Sequence, residues 1–224
     1  MQSEFHPIFV AIRNAAFFVA FLWLAFFLQI ISGIEPGFFG IIPRTLLGLT
    51  GIITAPFVHG DIIHLVSNSA PLFVVLSVLA LFYPKSSFSV IVLTFFLTGF
   101  WVWAAARESS HIGASGVLYG ITSFLVFSGF FRNDLRSRLV TLGMLFLYGG
   151  MIWGIFPNEA GISFESHLFG AVAGLLLAYR FRKTDSQENR KYDWENAPDY
   201  QPEDETAEWN YFKENFPPRD IEDQ

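Results

Sequence analysis

Ser115 stands in Gly113-Ala-Ser-Gly116, at the mouth of an apolar run that continues to Phe131. A serine hydroxyl is a weak nucleophile until a base takes its proton, and neutral histidine is the usual base near pH 7. His167 is such a base, set in Ser166-His-Leu-Phe-Gly-Ala-Val-Ala-Gly174 within the last long apolar run. Acyl transfer on this pair would also need donors for the developing oxyanion. His64 and Asn68, four residues apart on a third apolar run, can supply N–H groups. So can the backbone N–H of Ser115, because a helix N-terminus favours negative charge. No Asp or Glu in these runs is placed to orient His167: Glu165, two residues before it, faces away. Tyr119, one turn below Ser115 on the same face, could fix the imidazole by packing instead. His111 is only four residues before Ser115, but it falls in the loop before the helix, where a surface or packing role is expected.

These residues need helices to hold them. Six apolar segments reach or approach the roughly 20 residues needed to cross a bilayer: Asn14–Ile34, Asp61–Tyr83, Ser87–Ala106, Gly113–Phe131, Arg138–Phe156 and Ile162–Phe181. The first could be a signal peptide, but Leu28-Gln-Ile-Ile-Ser-Gly-Ile34 is a poor cleavage site, so an uncleaved span is expected. Residues 35–56 form a Pro- and Gly-containing connection, apolar enough to lie in the interface with short helices. An inside N-terminus puts Arg13, Lys85, Arg132, Arg136, Arg138, Arg180, Arg182 and Lys183 on the inner side, and only Arg44 and Arg107 outside. This bias orients the bundle with both termini cytoplasmic. Spans two, four and six then all start at the outer face. His64, Asn68, Ser115 and His167 fall within about two turns of those starts, on the order of 5–12 Å deep at about 1.5 Å per residue. Gly116-x-x-x-Gly120 and Gly170-x-x-x-Gly174 are spacings that let helix backbones meet in lipid. They predict that spans four and six pack together and bring His167 toward Ser115.

The composition agrees with a polytopic membrane protein. Of 224 residues, 52% are hydrophobic and only 15% charged, with mean hydropathy +0.42. Soluble domains carry nearer 25% charge. The net charge of −6 belongs to the end of the chain, since 13 of the 20 acidic residues follow Thr184. Three parts are therefore expected: a cytoplasmic segment 1–13, a six-helix membrane domain 14–183, and an acidic, largely disordered cytoplasmic tail 184–224. Within that tail, residues 209–216 form an aromatic patch that could dock on a partner or on the protein's own inner face. No basic face suited to nucleic acid is visible. The chain has no cysteine, hence no disulfide framework or thiolate nucleophile. His59 and His64 are five residues apart, without the acidic ligands or the H-E-x-x-H spacing of a metalloprotease, and no metal or other cofactor is expected. The serine motif is not the G-x-S-x-G elbow of α/β-hydrolases, because Val117 occupies the last glycine position.

Taken together, the motifs resemble those of the rhomboid family of intramembrane serine proteases. Gly113-Ala-Ser-Gly116 with Tyr119 resembles its G-x-S-G, and His167 with Gly170 and Gly174 its H-x-x-G-x-x-x-G. His64-Leu-Val-Ser-Asn68 resembles its H-x-x-x-N, and His59-Gly-Asp the approach to that helix. The resemblance implies an all-α, six-helix bundle with a Ser–His dyad in a water-filled cavity open to the outer side. Ser115 would be the nucleophile and His167 the base, with His64, Asn68 and the Ser115 N–H as oxyanion hole. Substrates would be single-span membrane proteins in a plasma membrane of bacterial type, with span five as the lateral gate. Two departures stand out: no Trp precedes Arg44, and Ser166 stands where alanine is common. The rival readings are a catalytically silent relative that binds membrane helices, and a transporter or channel with a polar His/Asn pathway. The inner halves of spans two, four and six are mostly apolar, which favours a blind cavity over a through-path.

Overall fold

A computed structural model describes residues 5–157 and 163–185, together with residues 209, 210, 214 and 215. It divides into two units, Met1–Ser186 and Gln187–Gln224. In the second, Trp209, Asn210, Glu214 and Asn215 are helical and exposed; the rest of the expected tail lies outside the described residues.

The first unit is helical. Its α-helices are α1 (Phe5–Ser32), α2 (Leu46–Thr54), α3 (Ile62–Phe82), α4 (Ser87–Ala105), α5 (Ser115–Phe131), α6 (Leu135–Tyr148) and α7 (Phe164–Arg180). Three short 3₁₀ helices cover Pro36–Phe39, Ala55–Phe57 and Gly149–Ile155. Among the described residues there is no β-strand, only an isolated antiparallel bridge between Ile41 and His111. Several of the helices start where the sequence supplies side-chain acceptors for their unsatisfied N–H groups. Asp61 caps α3 through His64 N, Asp134 caps α6 through Ser137 N, and Ser163 caps α7 through Ser166 N.

Four stretches are long and apolar enough to cross a membrane: His6–Ser32, Ile62–Phe82, Ser87–Ala105 and Leu135–Ile155. The other two expected spans correspond to α5 and α7, helices of 17 residues each. The expected fifth span, Arg138–Phe156, is not one continuous α-helix. It is α-helical only to Tyr148, then tightens into the 3₁₀ turn of Gly149–Ile155. Gly149, Gly150 and Gly154 weaken the α-helix there, because glycine carries the largest backbone entropy loss on ordering.

α5 lies at the centre, with Val117, Leu118, Ile121, Phe124 and Leu125 all buried. It packs against α3, α4, α6 and α7, while α1 lies against α3. Large apolar side chains point outward instead: Phe17, Phe21, Phe88, Phe130, Phe146 and Leu176 are exposed. Such a surface suits lipid rather than water. The connection between α1 and α3 is held by polar ties. Arg44, in the left-handed region at φ 59°, donates from Nη1 to the Ala106 carbonyl at 2.8 Å. The indole of Trp103 donates to the Thr45 carbonyl at 2.8 Å, so a tryptophan does meet this connection, but from α4.

At the far end of α5, Arg132 is buried over the ring of Tyr83, 4.8 Å from its centroid, and donates to the Phe181 carbonyl at 2.8 Å. Asp185, placed by composition in the acidic tail from residue 184, is part of this end of the membrane unit. Its carboxylate accepts from Lys85 N at 2.9 Å and Ser86 N at 3.2 Å, ahead of α4.

Candidate active site

Ser115 is the first residue of α5, and the turn that delivers it depends on Gly113. Gly113 sits at φ +101°, a conformation that side-chain-bearing residues rarely adopt. A Cβ there would also lie 2.6 Å from His64 Nε2. Glycine thus meets both the backbone geometry and the close approach of the His64 ring. Its N–H donates to the Ala55 carbonyl at 2.9 Å, which anchors the turn to the connection between α1 and α3.

The distance between α5 and α7 is set by glycine. A Cβ on Gly170 would collide with the Gly116 carbonyl oxygen, and one on Gly174 with that of Gly120. From the other side, a Cβ on Gly116 would come within 2.8 Å of Thr98 Cγ2 on α4. Ser123 Oγ crosses the seam to donate to the Ala171 carbonyl at 2.7 Å. The two helices therefore meet backbone to backbone, as the small-residue spacing predicts.

This contact puts His167, the fourth residue of α7, against Tyr119. The rings stack with centroids 4.1 Å apart and an interplanar angle of 5°. His167 Nδ1 lies 2.9 Å from the Gly154 carbonyl oxygen. A carbonyl can only accept, so Nδ1 carries the proton and Nε2 keeps its lone pair. Tyr119 is held in turn, donating its hydroxyl to the Met151 carbonyl at 2.9 Å. Both acceptors belong to the 3₁₀ turn, and neither could be read from the sequence, because a backbone carbonyl has no residue signature.

Ser115, His167, His64, Asn68 and Tyr119 line one cavity of about 690 Å³, with Pro71, Leu118, Tyr148 and Met151 as apolar wall. Asn68 is buried and spends one amide N–H on the His64 carbonyl at 2.8 Å. An amide has two, which leaves one for the cavity. Ser115 Oγ and the His167 ring share the cavity, but no hydrogen bond joins them among the described residues.

His59 lies just outside the cavity wall. It is fully buried, its ring centroid 5.0 Å from that of His64. Gln29 of α1 grips its backbone from both sides, donating to His59 O at 2.8 Å and accepting from His59 N at 3.3 Å. Burial, and secondarily the neighbouring His64, push the His59 pKa from 6.5 down to about 4. The unfolded chain then takes up a proton near pH 6.5 that the folded chain refuses until about pH 4. Folding stability from this group is full above pH 6.5 and is lost as pH falls, by about 3 kcal/mol at pH 4. Thermal unfolding in detergent should therefore drop between pH 7 and 4.5 in the wild type and drop less in His59→Leu. Equal drops would show that His59 is not held neutral.

His111 is not on the surface. It is buried, hydrogen-bonded through both ring nitrogens, and kept in its neutral form by burial. Glu165 turns away from His167, as its spacing predicts, and pairs with Arg107 at 3.3 Å.

A rhomboid-domain profile matches residues 47–184, which include every residue of this cavity. Uncharacterized proteins of Mycobacterium tuberculosis and Mycobacterium bovis are 34% identical over 171 residues, covering 72% of this chain and 71% of theirs. The chain belongs to the rhomboid family. A more distant relative, from Bacillus subtilis, is 27% identical over 131 residues, 57% of this chain and 65% of its own. That protein is named a "putative rhomboid protease". With its four long apolar helices, this rhomboid is an integral membrane protein. α1 precedes the matched region, yet it reaches the site through Gln29 and His59.

Proposed function

We propose that this rhomboid is an intramembrane serine endopeptidase that cuts single-span membrane proteins. The observation that carries the reading is the shared cavity: a serine at a helix mouth lines the same cavity as an imidazole whose Nδ1–H is fixed and whose Nε2 is free. Ser115 Oγ attacks the scissile carbonyl carbon as His167 Nε2 takes its proton. The oxyanion is met by the Ser115 backbone N–H, the free Asn68 amide N–H and His64. The intermediate collapses as His167 returns the proton to the leaving amine, giving an ester on Ser115. Water, deprotonated by the same Nε2, then attacks the ester carbon, and His167 returns that proton to Ser115 Oγ as the second fragment leaves with a new carboxyl group. No metal or cofactor enters this scheme.

The topology follows the same reading. α1, α3, α4, α5, α6 with its 3₁₀ extension, and α7 are the six spans. Both termini are cytoplasmic, the membrane is a bacterial plasma membrane, and the cavity faces the outer side.

The test is labelling of the purified protein with a serine-reactive fluorophosphonate. Wild type should take the label and Ser115→Ala should not. A folded wild type that takes none would sink the protease reading in favour of a relative that binds membrane helices without cutting them. Asn68→Ala should slow labelling and cleavage by about 10²-fold, since one oxyanion donor contributes about 2.7–4 kcal/mol. Unchanged turnover would remove Asn68 from the oxyanion hole.

A further inference from the structure

Ser115 and His167 come from different helices, and the loop before α5 is tied to the start of α7 by two polar contacts. The first is the Arg107–Glu165 pair, in which Glu165 Oε1 also accepts from Arg107 N at 3.4 Å. The second runs through His111 and has a definite direction. His111 Nε2 lies 3.1 Å from the Arg107 carbonyl oxygen, which can only accept, so Nε2 carries the proton. Nδ1 of this neutral ring is then an acceptor. The Ser163 hydroxyl, 2.6 Å away, must donate to it. That leaves the lone pairs of Ser163 Oγ for the Ser166 hydroxyl at 2.7 Å and the Ser166 N–H at 3.3 Å. Every proton in the chain is thereby assigned.

Both ends of this relay are anchored. The His111 backbone is clamped in the bridge to Ile41, with N–H to O distances of 3.0 and 2.9 Å in the two directions. Ser163 caps α7, and its carbonyl accepts the backbone N–H of His167 at 3.4 Å. The path from His111 to the backbone of His167 is therefore two hydrogen bonds through one residue. His111 is itself four residues from Ser115. Nothing in the sequence motifs requires a histidine at this place.

We propose that His111 and Ser163 are positioning residues for the reaction, setting the height of α7 against α5 and so the reach of His167 to Ser115. The proposal rests on the protease reading. His111 lies outside the cavity and Ser163 at its edge, and neither donates or accepts a proton in the chemistry. Their loss shifts the base relative to the nucleophile. A misplacement of about 1 Å from a remote change can cost up to about 10²-fold in rate.

The experiment is the rate of fluorophosphonate labelling, with kcat and KM on a cleavable single-span reporter in liposomes. It compares wild type, His111→Ala, Ser163→Ala, the double variant and Ser163→Thr. The single variants should each lose about tenfold in labelling rate and kcat with KM unchanged. The double variant should lose no more than Ser163→Ala alone, because that change already removes the contact to His111 along with the cap of α7. Ser163→Thr keeps the hydroxyl and should recover most of the rate, which a purely volumetric effect at this position would not allow. If His111→Ala does not fold, Ser163→Ala against Ser163→Thr decides. Wild-type rates in folded single variants overturn the proposal, as do additive losses, or losses confined to KM. A wild type that takes no label fails differently: it sinks the protease reading and this proposal with it.

Discussion

His167→Ala should cut fluorophosphonate labelling of Ser115 by at least about 10⁴-fold, since removing a base from a unit that acts together costs nearly everything the unit supplies. The fold should survive. The imidazole stands at the edge of an existing cavity, so its removal enlarges an open space and leaves no sealed void. What is lost is a ring stack, about 0.5–1.5 kcal/mol, and a hydrogen bond to Gly154, about 1 kcal/mol. Thermal unfolding of the detergent-solubilised variant should therefore move by a few degrees while labelling disappears. Label retained at the wild-type rate would mean that another group activates Ser115. His64 would be the next to test, as the other imidazole lining the cavity.

Gly170→Leu is expected to damage both stability and activity, for a reason independent of the chemistry. Even a Cβ at this position would strike the Gly116 carbonyl oxygen, which belongs to the backbone and cannot swing aside as a side chain would. α5 and α7 must then separate. Overpacking of an ordinary core by a methylene costs about 1–3 kcal/mol, and this substitution adds a whole isobutyl group against main chain. Separation also takes His167 from Tyr119 and from the serine one turn above it. Gly143→Ala on α6 is the matched control, since a Cβ there has nothing within 4 Å. It should leave labelling unchanged and gain slightly in helix propensity, by up to about 1 kcal/mol. Normal activity in Gly170→Leu would show that the seam does not set the distance between nucleophile and base.

The parts of this molecule that could be read in advance are those whose information lies in side-chain identity. The apolar runs announce helices, and the polar residues at the starts of three of them announce a shared layer. Gly116, Gly120, Gly170 and Gly174 announce a close helix pair because only the absence of a side chain permits one. The remainder was hidden for physical reasons. Residues 149–155 are apolar and look like continued helix. Their 3₁₀ winding, which aims two carbonyls at Tyr119 and His167, follows from a small difference in backbone energy. His111 reads as a loop residue, and it is a loop residue; it is buried because Ser163 and the Arg107 carbonyl, far apart in sequence, close around it. Asp185 disappears into an acidic run when composition is averaged, yet its carboxylate is spent ahead of α4.

The carbonyl behind His167 has one more consequence. It is a neutral partner, able to hold the ring in place but with no charge to offer when the ring becomes a cation. A carboxylate in that position would form a charge-assisted bond, roughly twice as strong. On the protease reading, the imidazolium formed during attack has no charged partner at Nδ1, so Nε2 is a weaker base than a carboxylate behind the ring would make it.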